Sequence, residues 1–490
     1  MMLISLYTSR VILNTLGVED FGVYDVVGGM VSMFSILSSS LSTAISRFVT
    51  FGLGKNDLKE LRRIYSTAII IQLMMAILIG LLIEVIGVWY LFNKMNIPEG
   101  RTMAAFWVLQ CSIITFGLGL LSVPYDAEIV AHEKMSAYAY FSILDAIIAL
   151  VNVFLLYIAP VDKLIFFACL NVLGTLLMRL LLAYYCRRHF EECRFEASFD
   201  KKLIKEIGSF TGWHLLGEGT WIINTQGINL LVNSYFGVTM NAARAVGNRI
   251  NGAVGKFSGS FMTALTPQIT KTYAEGNLQA MHSLINRGTR LAYYLMLLFA
   301  IPICIETPLI LRLWLKTIPD HAILFSRLTI LSSLVTLIGT TLVKAQLATG
   351  QLKKYQITVS LFSLWVFPAT WIAYHLGKPA EWSYYFFILN YFLLLFIRIY
   401  LVKDLIKLDW KGYIKDTYVK IALVTILACL FPILLYKTQP EGLLRLIEVT
   451  FASFISEGIA VYFAGINKEE RLFINGVILN YISIIKRRFD

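Results

Sequence analysis

Residues 68–83 read AIIIQLMMAILIGLLI, without one charged side chain. Comparable apolar runs recur at Ala104–Pro124, Ile143–Ala159, Leu291–Ile305 and Val419–Leu435. A helix needs about 17–25 predominantly apolar residues to cross about 30 Å of hydrocarbon, and each run approaches that length. The runs are apolar on every side, whereas the strands of a transmembrane barrel alternate apolar and polar positions. The sequence therefore predicts an all-α membrane protein with many spanning helices.

The composition agrees with a lipid environment and excludes several function classes. Of the 490 residues, 57% are apolar and 15% charged, whereas soluble chains carry about 25% charged residues. The six cysteines and six histidines are scattered, so we expect neither a disulfide framework nor a metal site. No GxxxxGK[ST] loop is present, which argues against ATP hydrolysis by this chain. We expect a transporter without a catalytic residue or a bound cofactor, and not an enzyme.

Charged, proline and glycine breaks divide the chain into fourteen predicted spans, centred near residues 8, 35, 77, 114, 148, 173, 222, 254, 299, 333, 366, 392, 427 and 453. Cytoplasmic loops carry an excess of Lys and Arg, and such loops follow spans 2, 6 and 12. The alternate loops are short and poor in both residues. We therefore expect both termini in the cytoplasm. This asymmetry accounts for much of the net charge of +12, so nucleic acid is not an expected partner.

The C-terminal stretch differs from the spans. Apolar residues recur at helical spacing from Ile474 to Ile485, among basic residues such as Lys486 and Arg487. This pattern predicts an amphipathic helix that lies on the anionic lipids of the cytoplasmic leaflet.

The two halves of the chain share short motifs. FGV at 21–23 is repeated at 236–238, and VVG at 26–28 matches AVG at 245–247, an offset of about 220 residues or six spans. An even offset predicts parallel repeats, and hence two six-helix lobes that face each other across a central cavity. The predicted domains are an N-terminal lobe (1–205, helices 1–6), a C-terminal lobe (206–410, helices 7–12), and helices 13–14 with the cytoplasmic tail (411–490).

The same offset bears on the first span. The position equivalent to Ile207, where span 7 begins, would precede Met1 by about a dozen residues. We therefore expect span 1 to be short at its cytoplasmic end.

Two sets of motifs carry a family resemblance. They are LGVEDFGVY at 16–24 with VGG at 27–29 and SRF at 46–48, and NTQG at 224–227 with NAAR at 241–244 and PQITK at 267–271. With fourteen predicted spans, the chain resembles the bacterial polysaccharide-unit (O-antigen type) flippases of the multidrug/oligosaccharidyl-lipid/polysaccharide exporter superfamily.

That resemblance implies a location in the bacterial inner membrane and V-shaped alternating access. It implies a substrate of sugars on undecaprenyl diphosphate, moved from the cytoplasmic to the periplasmic leaflet for polysaccharide or lipopolysaccharide biosynthesis. It also implies polysaccharide polymerase and export machinery as partners, beside the membrane lipids. The runner-up function is a cation-coupled multidrug or metabolite antiporter on the same scaffold. A membrane polymerase or ligase is disfavoured because every exterior loop is short.

Span 8 carries the most informative charges. Arg249 and Lys256 lie two turns apart on one helical face, with Gly252 between them, and Asn248 and Asn251 extend a polar sector. Because intramembrane cations need a partner or a wet cavity, we expect this face to bind the diphosphate. The alternatives are an interlobe salt bridge and snorkelling to the interface.

Other charges in the spans are weaker candidates. Arg10 in span 1 and Arg47 near the inner end of span 2 are further candidate substrate-binding residues, although topology explains Arg47 equally well. Glu218 in span 7 and Asp145 in span 5 are candidate ion-coupling sites for a proton or sodium gradient, or structural hydrogen-bonded acids.

The repeat also predicts a gate. At an offset of 219 residues, Asp25 falls on Arg244, so opposite charges occupy equivalent positions near the outer ends of spans 2 and 8. An ion pair between them would close the outer side of the cavity. The alternative is that each charge reaches exterior water.

Overall fold

The computed structural model describes residues 34–315 and 318–467, apart from gaps at 56, 94–99, 160 and 197–199, and isolated positions nearer the two ends. The backbone alone is described at 35, 36, 233, 237–239, 241 and 242. Arg10, Asp25, most of predicted span 1 and the predicted C-terminal amphipathic helix lie outside the described residues.

Long helices make up the first part of the chain, because its apolar runs contain few helix breakers. They are α1 (Ser35–Lys55), α2 (Leu58–Asn93), α3 (Thr102–Ala131), α4 (Met135–Leu155, followed by a 3₁₀ turn at Leu156–Ile158) and α5 (Lys163–His189). The carboxylate of Asp162 caps α5 by accepting hydrogen bonds from the backbone amides of Leu164 and Ile165, at 3.0 and 3.2 Å.

The middle of the chain differs from expectation. Helix α6 (Lys201–Ile222) passes through a π-helical turn (Ile223–Gly227) directly into α7 (Ile228–Ala274). The sequence divides this segment into two spans centred near residues 222 and 254, but the backbone between them, including the second FGV motif, is helical. Gly237 alone costs a helix only about 1 kcal/mol, and α7 contains no proline before Pro267.

The remaining helices range from four to 28 residues. They are α8 (Leu278–Ile305), α9 (Thr307–Trp314), α10 (Ala322–Ile338), α11 (Thr340–Thr349), α12 (Leu352–Ser363), α13 (Val366–His375), α14 (Trp382–Val402), α15 (Trp410–Tyr413), α16 (Lys420–Thr438) and α17 (Leu443–Ala460). Gly350, with φ of 75°, makes the turn between α11 and α12 possible.

The predicted fold class is confirmed: this is an all-α, polytopic membrane protein. Within the described residues there is no strand, and ten helical stretches are long and apolar enough to cross a bilayer. The predicted centres from residue 35 to residue 453 all fall inside described helices. Helices α1, α6 and α7 are not among the ten stretches.

The chain forms two compact units. The N-terminal unit comprises Met1–Glu218 with Tyr273–Gly276, and the C-terminal unit comprises Gly219–Thr272 with Asn277–Asp490. The lobe boundaries expected from the repeat stay a prediction.

In the N-terminal unit α3 is the central helix and packs against α1, α2, α4 and α5. Its buried residues Leu109 and Leu120 join Ile83 of α2 in one apolar core. Leu78 and Val85 of α2, in contrast, are 60% and 71% exposed. Large apolar side chains that face outward suit contact with lipid tails, since lipid replaces water as the solvent of the outer surface.

In the C-terminal unit the central helix is α8, which packs against α10, α11, α16 and α17. A bidentate ion pair ties its end to α17: Arg445 donates from Nε and Nη2 to the two carboxylate oxygens of Glu306, at 2.7 and 3.0 Å. The Glu306 side chain is fully buried. In the same unit, α7 crosses close to α10 at Gly247, and both helices line a polar cavity.

Candidate functional site

The C-terminal unit contains a polar cavity of about 300 Å³. Helices α7, α10, α11 and α14 and the turn before α7 supply most of its walls. The lining comprises seven serine and threonine side chains, the amides of Asn248 and Asn251, four aromatic side chains and one charged residue, Arg244. No acidic residue is among the described residues that line it. This lining offers many hydroxyl and amide groups and a single positive charge.

Arg244 is 94% buried, since 6% of its surface is exposed. Its Nε and Nη1 atoms are buried and hydrogen-bond to no described residue. Its Cζ lies 5.3 Å from the ring centroid of Tyr384, so a cation–π contact stabilises the guanidinium in part. A buried guanidinium without acceptors is costly, and an anionic or hydroxyl-rich ligand in the cavity would supply them.

Two separate stripes run along α7. Arg244, Asn248, Asn251, Gly255 and Ser258 line the cavity, and their alternating spacing of four and three residues places them on one helical face. Ala245, Arg249, Gly252, Lys256 and Gly259 are exposed. At 3.6 residues per turn, the two stripes lie roughly 100° apart around the helix.

A glycine sets how closely α7 approaches α10. A Cβ atom at Gly247 would lie 3.2 Å from the carbonyl carbon and oxygen of Phe325 and from the amide nitrogen of Ser326. A side chain at this position would force the backbone of Phe325 and Ser326 to move by a few tenths of an ångström. The close approach brings Thr329 and Ser333 of α10 to the same cavity as Arg244.

Of the predicted substrate-binding residues, Arg249 and Lys256 lie on the exposed stripe of α7. Neither forms a hydrogen bond or an ion pair within the described part of the chain. Asn248 and Asn251, expected to extend the same polar sector, line the cavity instead. The polar sector of span 8 is therefore divided between a cavity in the unit and an exposed surface.

Arg47 lies half-buried on α1, and three aromatic rings surround it. Its Cζ is 4.8 Å from the ring centroid of Phe48, 5.0 Å from that of Phe51 and 5.7 Å from that of Phe210. These cation–π contacts stabilise the guanidinium of Arg47 within the N-terminal unit, as they would for a residue with a structural role. Its role in substrate binding stays a prediction, as does that of Arg10. The proposed gate also stays a prediction, because Asp25 lies outside the described residues.

The predicted ion-coupling acids lie in the N-terminal unit. Glu218 is half-buried on α6, and Asp145 is exposed on α4, where its charge acts on Asp126 of α3. Sequence reasoning missed a third acid, Glu457 of α17, which is 2% exposed and has no ion-pair partner among the described residues. Its position near the centre of predicted span 14 was the signal that could have identified it.

Solved structures of similar fold are transporters. A crystal structure of MATE in the bent conformation matches with a TM-score of 0.71 at 15% identity, covering 84% of this chain and 92% of that one. An outward-facing multidrug resistance MATE family transporter of the MOP superfamily matches with a TM-score of 0.68 at 13% identity, covering 84% and 92%. A MOP superfamily transporter from Pyrococcus furiosus matches with a TM-score of 0.67 at 14% identity, covering 83% and 92%. The fold is thus that of the MOP superfamily of transporters.

Sequence comparison shows the family of the chain. The family described as Polysaccharide biosynthesis protein matches residues 1–273. The chain belongs to this family, and its resemblance to the polysaccharide flippases of the MOP superfamily is confirmed. An uncharacterized membrane protein of Bacillus subtilis (strain 168), EpsK, is 20% identical over 297 residues, which cover 59% of this chain and 57% of that protein. The chain thus matches little more than half the length of this relative.

Proposed function

We propose that this protein flips sugar units linked to undecaprenyl diphosphate from the cytoplasmic to the periplasmic leaflet of the bacterial inner membrane. It does so by alternating access, for polysaccharide or lipopolysaccharide biosynthesis, and it hands its product to polymerase and export machinery. The proposal joins membership of a polysaccharide biosynthesis family to the charges of α7.

The observation that carries the proposal is that α7 bears three cations, Arg244, Arg249 and Lys256, within about four helical turns. None of them forms an ion pair within the described part of the chain. A cation in a membrane helix needs a counter-charge or water, and a diphosphate provides two or more negative charges. Arginine binds such a group in a bidentate manner and lysine binds it as a point charge.

The cavity of the C-terminal unit fits the sugar part of such a substrate. Hydroxyl and amide side chains such as Ser333 and Asn251 can donate to and accept from sugar hydroxyls, and Trp221, Tyr384 and Tyr391 offer flat apolar faces. A volume of about 300 Å³ lies at the lower end of ligand sites, so it accommodates one part of a large substrate. Arg244 would then pair with an acidic substituent or with sugar hydroxyls.

Transport in this scheme is driven by an ion gradient and not by a bound cofactor. The candidate coupling groups are Glu218, Asp145 and the more deeply buried Glu457. Glu457 is buried without an ion-pair partner among the described residues, and a carboxylate in that state can take up a proton on one side of the membrane and release it on the other. A change of charge at such a group would favour one state of the alternating-access cycle.

Variants of the α7 cations test the proposal. The protein would be reconstituted in liposomes containing a fluorescent polyprenyl-diphosphate oligosaccharide, and flipping would be followed by loss of accessibility to a membrane-impermeant quencher. We expect Lys256→Ala and Arg249→Ala each to slow flipping by about tenfold or more, because one charge-assisted contact contributes about 1.5–3 kcal/mol. The matched control is Lys271→Ala, an exposed lysine at the end of the same helix, which should keep the wild-type rate. Wild-type flipping by Lys256→Ala and Arg249→Ala together would contradict the proposal.

The second candidate function is a cation-coupled multidrug or metabolite antiporter. It is favoured by the neighbouring carboxyls of Asp126 and Asp145, since acidic residues suit organic cations. It is disfavoured by the cavity of the C-terminal unit, whose only charge among the described lining residues is positive. Efflux of a cationic dye from the same liposomes under a proton or sodium gradient, abolished by Asp126→Asn and Asp145→Asn, would support this alternative.

A further inference from the structure

A cluster of three potential metal ligands lies at one end of the N-terminal unit, outside the proposed substrate site. Glu128 and His132 are four residues apart at the end of α3, and therefore on one helical face. Glu192 lies in the turn after α5. One ligand atom from each of the three side chains lies within 4.8 Å of the other two. The Oε2 atom of Glu128 is 3.9 Å from Nε2 of His132, and that same nitrogen hydrogen-bonds to Glu192.

An independent observation concerns Glu128. Its side chain is fully buried, and neither of its oxygens hydrogen-bonds to any described residue. An isolated carboxylate in the interior costs several kcal/mol, so it must be neutralised by a proton, a cation or a metal ion. Both carboxylates share one imidazole as their nearest positive group. Two ionised carboxylates and one neutral imidazole together carry two negative charges, which a divalent cation neutralises.

Two buried cysteine side chains lie beside the cluster. Cys186 and Cys193 are both fully buried, and the charges of Glu128 and Glu192 act on Cys193. Glu192 is 2% exposed, and its Oε1 atom hydrogen-bonds to Nε2 of His132.

We propose that Glu128, His132 and Glu192 form a Zn²⁺ site that joins the end of α3 to the turn after α5. Imidazole nitrogen with carboxylate oxygen is a zinc ligand set, whereas magnesium and calcium prefer all-oxygen sets. Zinc–ligand bonds are about 2.0–2.2 Å long. The three ligand atoms now lie within 4.8 Å of one another, so side-chain movements of about 1 Å bring them close enough to bind one ion. The ion takes the place of the proton on Nε2 of His132, and the imidazole keeps its proton on Nδ1.

The site has a structural role in this proposal. It fixes the turn between α3 and α4 against the end of α5, where the ring of His132 also stacks on Phe190 with centroids 4.1 Å apart. A metal ion that binds the folded state alone stabilises that state by mass action. Chelation should therefore lower the temperature of unfolding without removing any residue of the transport path.

The test uses tag-free, full-length protein in detergent, since a polyhistidine tag would itself bind zinc. Zinc content after dialysis and thermal unfolding with and without added Zn²⁺ would be measured for the wild type, Glu192→Gln and His132→Gln. Matched controls are Glu191→Gln and His189→Gln, which alter exposed neighbours of the same types. We expect about one Zn²⁺ per wild-type chain and a loss of zinc affinity of at least about tenfold in the two ligand variants only. Wild-type protein that binds no zinc, or binding that the ligand variants leave unchanged, would overturn the proposal.

A second measurement covers the case in which the ligand variants fail to fold. X-ray absorption at the zinc edge of the unmodified protein should show nitrogen and oxygen ligands at about 2.0–2.2 Å with the scattering pattern of one imidazole. A zinc coordination shell without imidazole would also overturn the proposal. The three side chains would then be held together by a shared proton.

Discussion

Arg244 shows why burial and charge must be considered together at the scale of single residues. Sequence reasoning placed it near the outer end of span 8 and assigned it to a gate. In the structure it is buried beside Tyr384, in a cavity formed by helices that are distant in sequence. Arg249 and Lys256, in contrast, were selected because they are cations on one face of a predicted span, and they are exposed on one stripe. Helical periodicity predicts which residues share a face, but it does not say what the face contacts.

A buried ion pair gives the sharpest prediction at this scale. Arg445→Ala leaves the fully buried carboxylate of Glu306 without its bidentate partner, so we expect a loss of about 3–5 kcal/mol in the free energy of unfolding. The control is Arg312→Ala, which removes an exposed pair with Glu441 and should cost less than about 1 kcal/mol. Equilibrium unfolding in detergent measures both. Equal losses in the two variants would contradict the assignment of Glu306 as a charged, paired residue.

At the scale of elements, apolar runs predict helices well because the bilayer fixes their length. The thirteen centres from residue 35 onward fall in helices for this reason. The continuous helix from Lys201 to Ala274 was not predicted, since hydropathy divided this segment into two spans centred near residues 222 and 254. The Glu128–His132–Glu192 cluster was also missed. Its third member is 60 residues further along the chain than His132, and only the packing of α5 on α3 brings it close.

Helix crossing gives a second prediction. Gly247→Val places a side chain against the backbone of Phe325, so α7 must move away from α10, and we expect a loss of about 1–3 kcal/mol in stability. Gly252→Val on the same helix is the control, because nothing lies within 4 Å of a Cβ atom there. Both variants carry the same change in helix propensity. Thermal unfolding should separate them, and equal melting temperatures would mean that the crossing is not close.

The cap of α5 gives a prediction about pH. The pKa of Asp162 is lowered: burial opposes this, but hydrogen bonds from Arg101 and from the amides of Ile165 and Leu164 outweigh it. Its contribution to stability is therefore complete above the unfolded value of about 3.9 and is lost as the pH falls through the lower folded value. Asn is as good an N-cap as Asp, so Asp162→Asn keeps the cap but loses the ion pair with Arg101, and we expect it to be less stable than wild type by up to about 1 kcal/mol at pH 7.

Melting curves from pH 7 down to about pH 3 test this cap, since the difference should shrink only below about pH 4. Asp320→Asn is the control, because Asp320 is exposed and has no ion pair within the described residues. A difference that does not change with pH would show that the charge of Asp162 does not contribute.

At the scale of the whole molecule, the fold class followed from composition and hydropathy, because lipid requires every backbone group to be satisfied within helices. The cavity of the C-terminal unit did not follow, since its walls come from segments between Trp221 and Tyr391 whose packing is a tertiary property. The fourteen-span topology with cytoplasmic termini stays a prediction from the distribution of Lys and Arg.

Cysteine labelling tests that topology. In a cysteine-free background, single cysteines at Val161 and Lys378 should react with an impermeant reagent in intact cells, and those at Lys202 and Lys411 should react only after permeabilisation. All four positions are exposed, so differences in labelling report the side of the membrane. Labelling of the last two in intact cells would invalidate the predicted topology.

The most direct test of the account is transport of lipid-linked oligosaccharide by the purified wild-type protein in sealed liposomes. We expect the polyprenyl-diphosphate-linked sugar to move between leaflets faster than in protein-free liposomes, and Arg249→Ala with Lys256→Ala to abolish that gain. Movement no faster than in protein-free liposomes, together with ion-driven efflux of a cationic dye from the same preparation, would contradict the account and establish the antiporter instead.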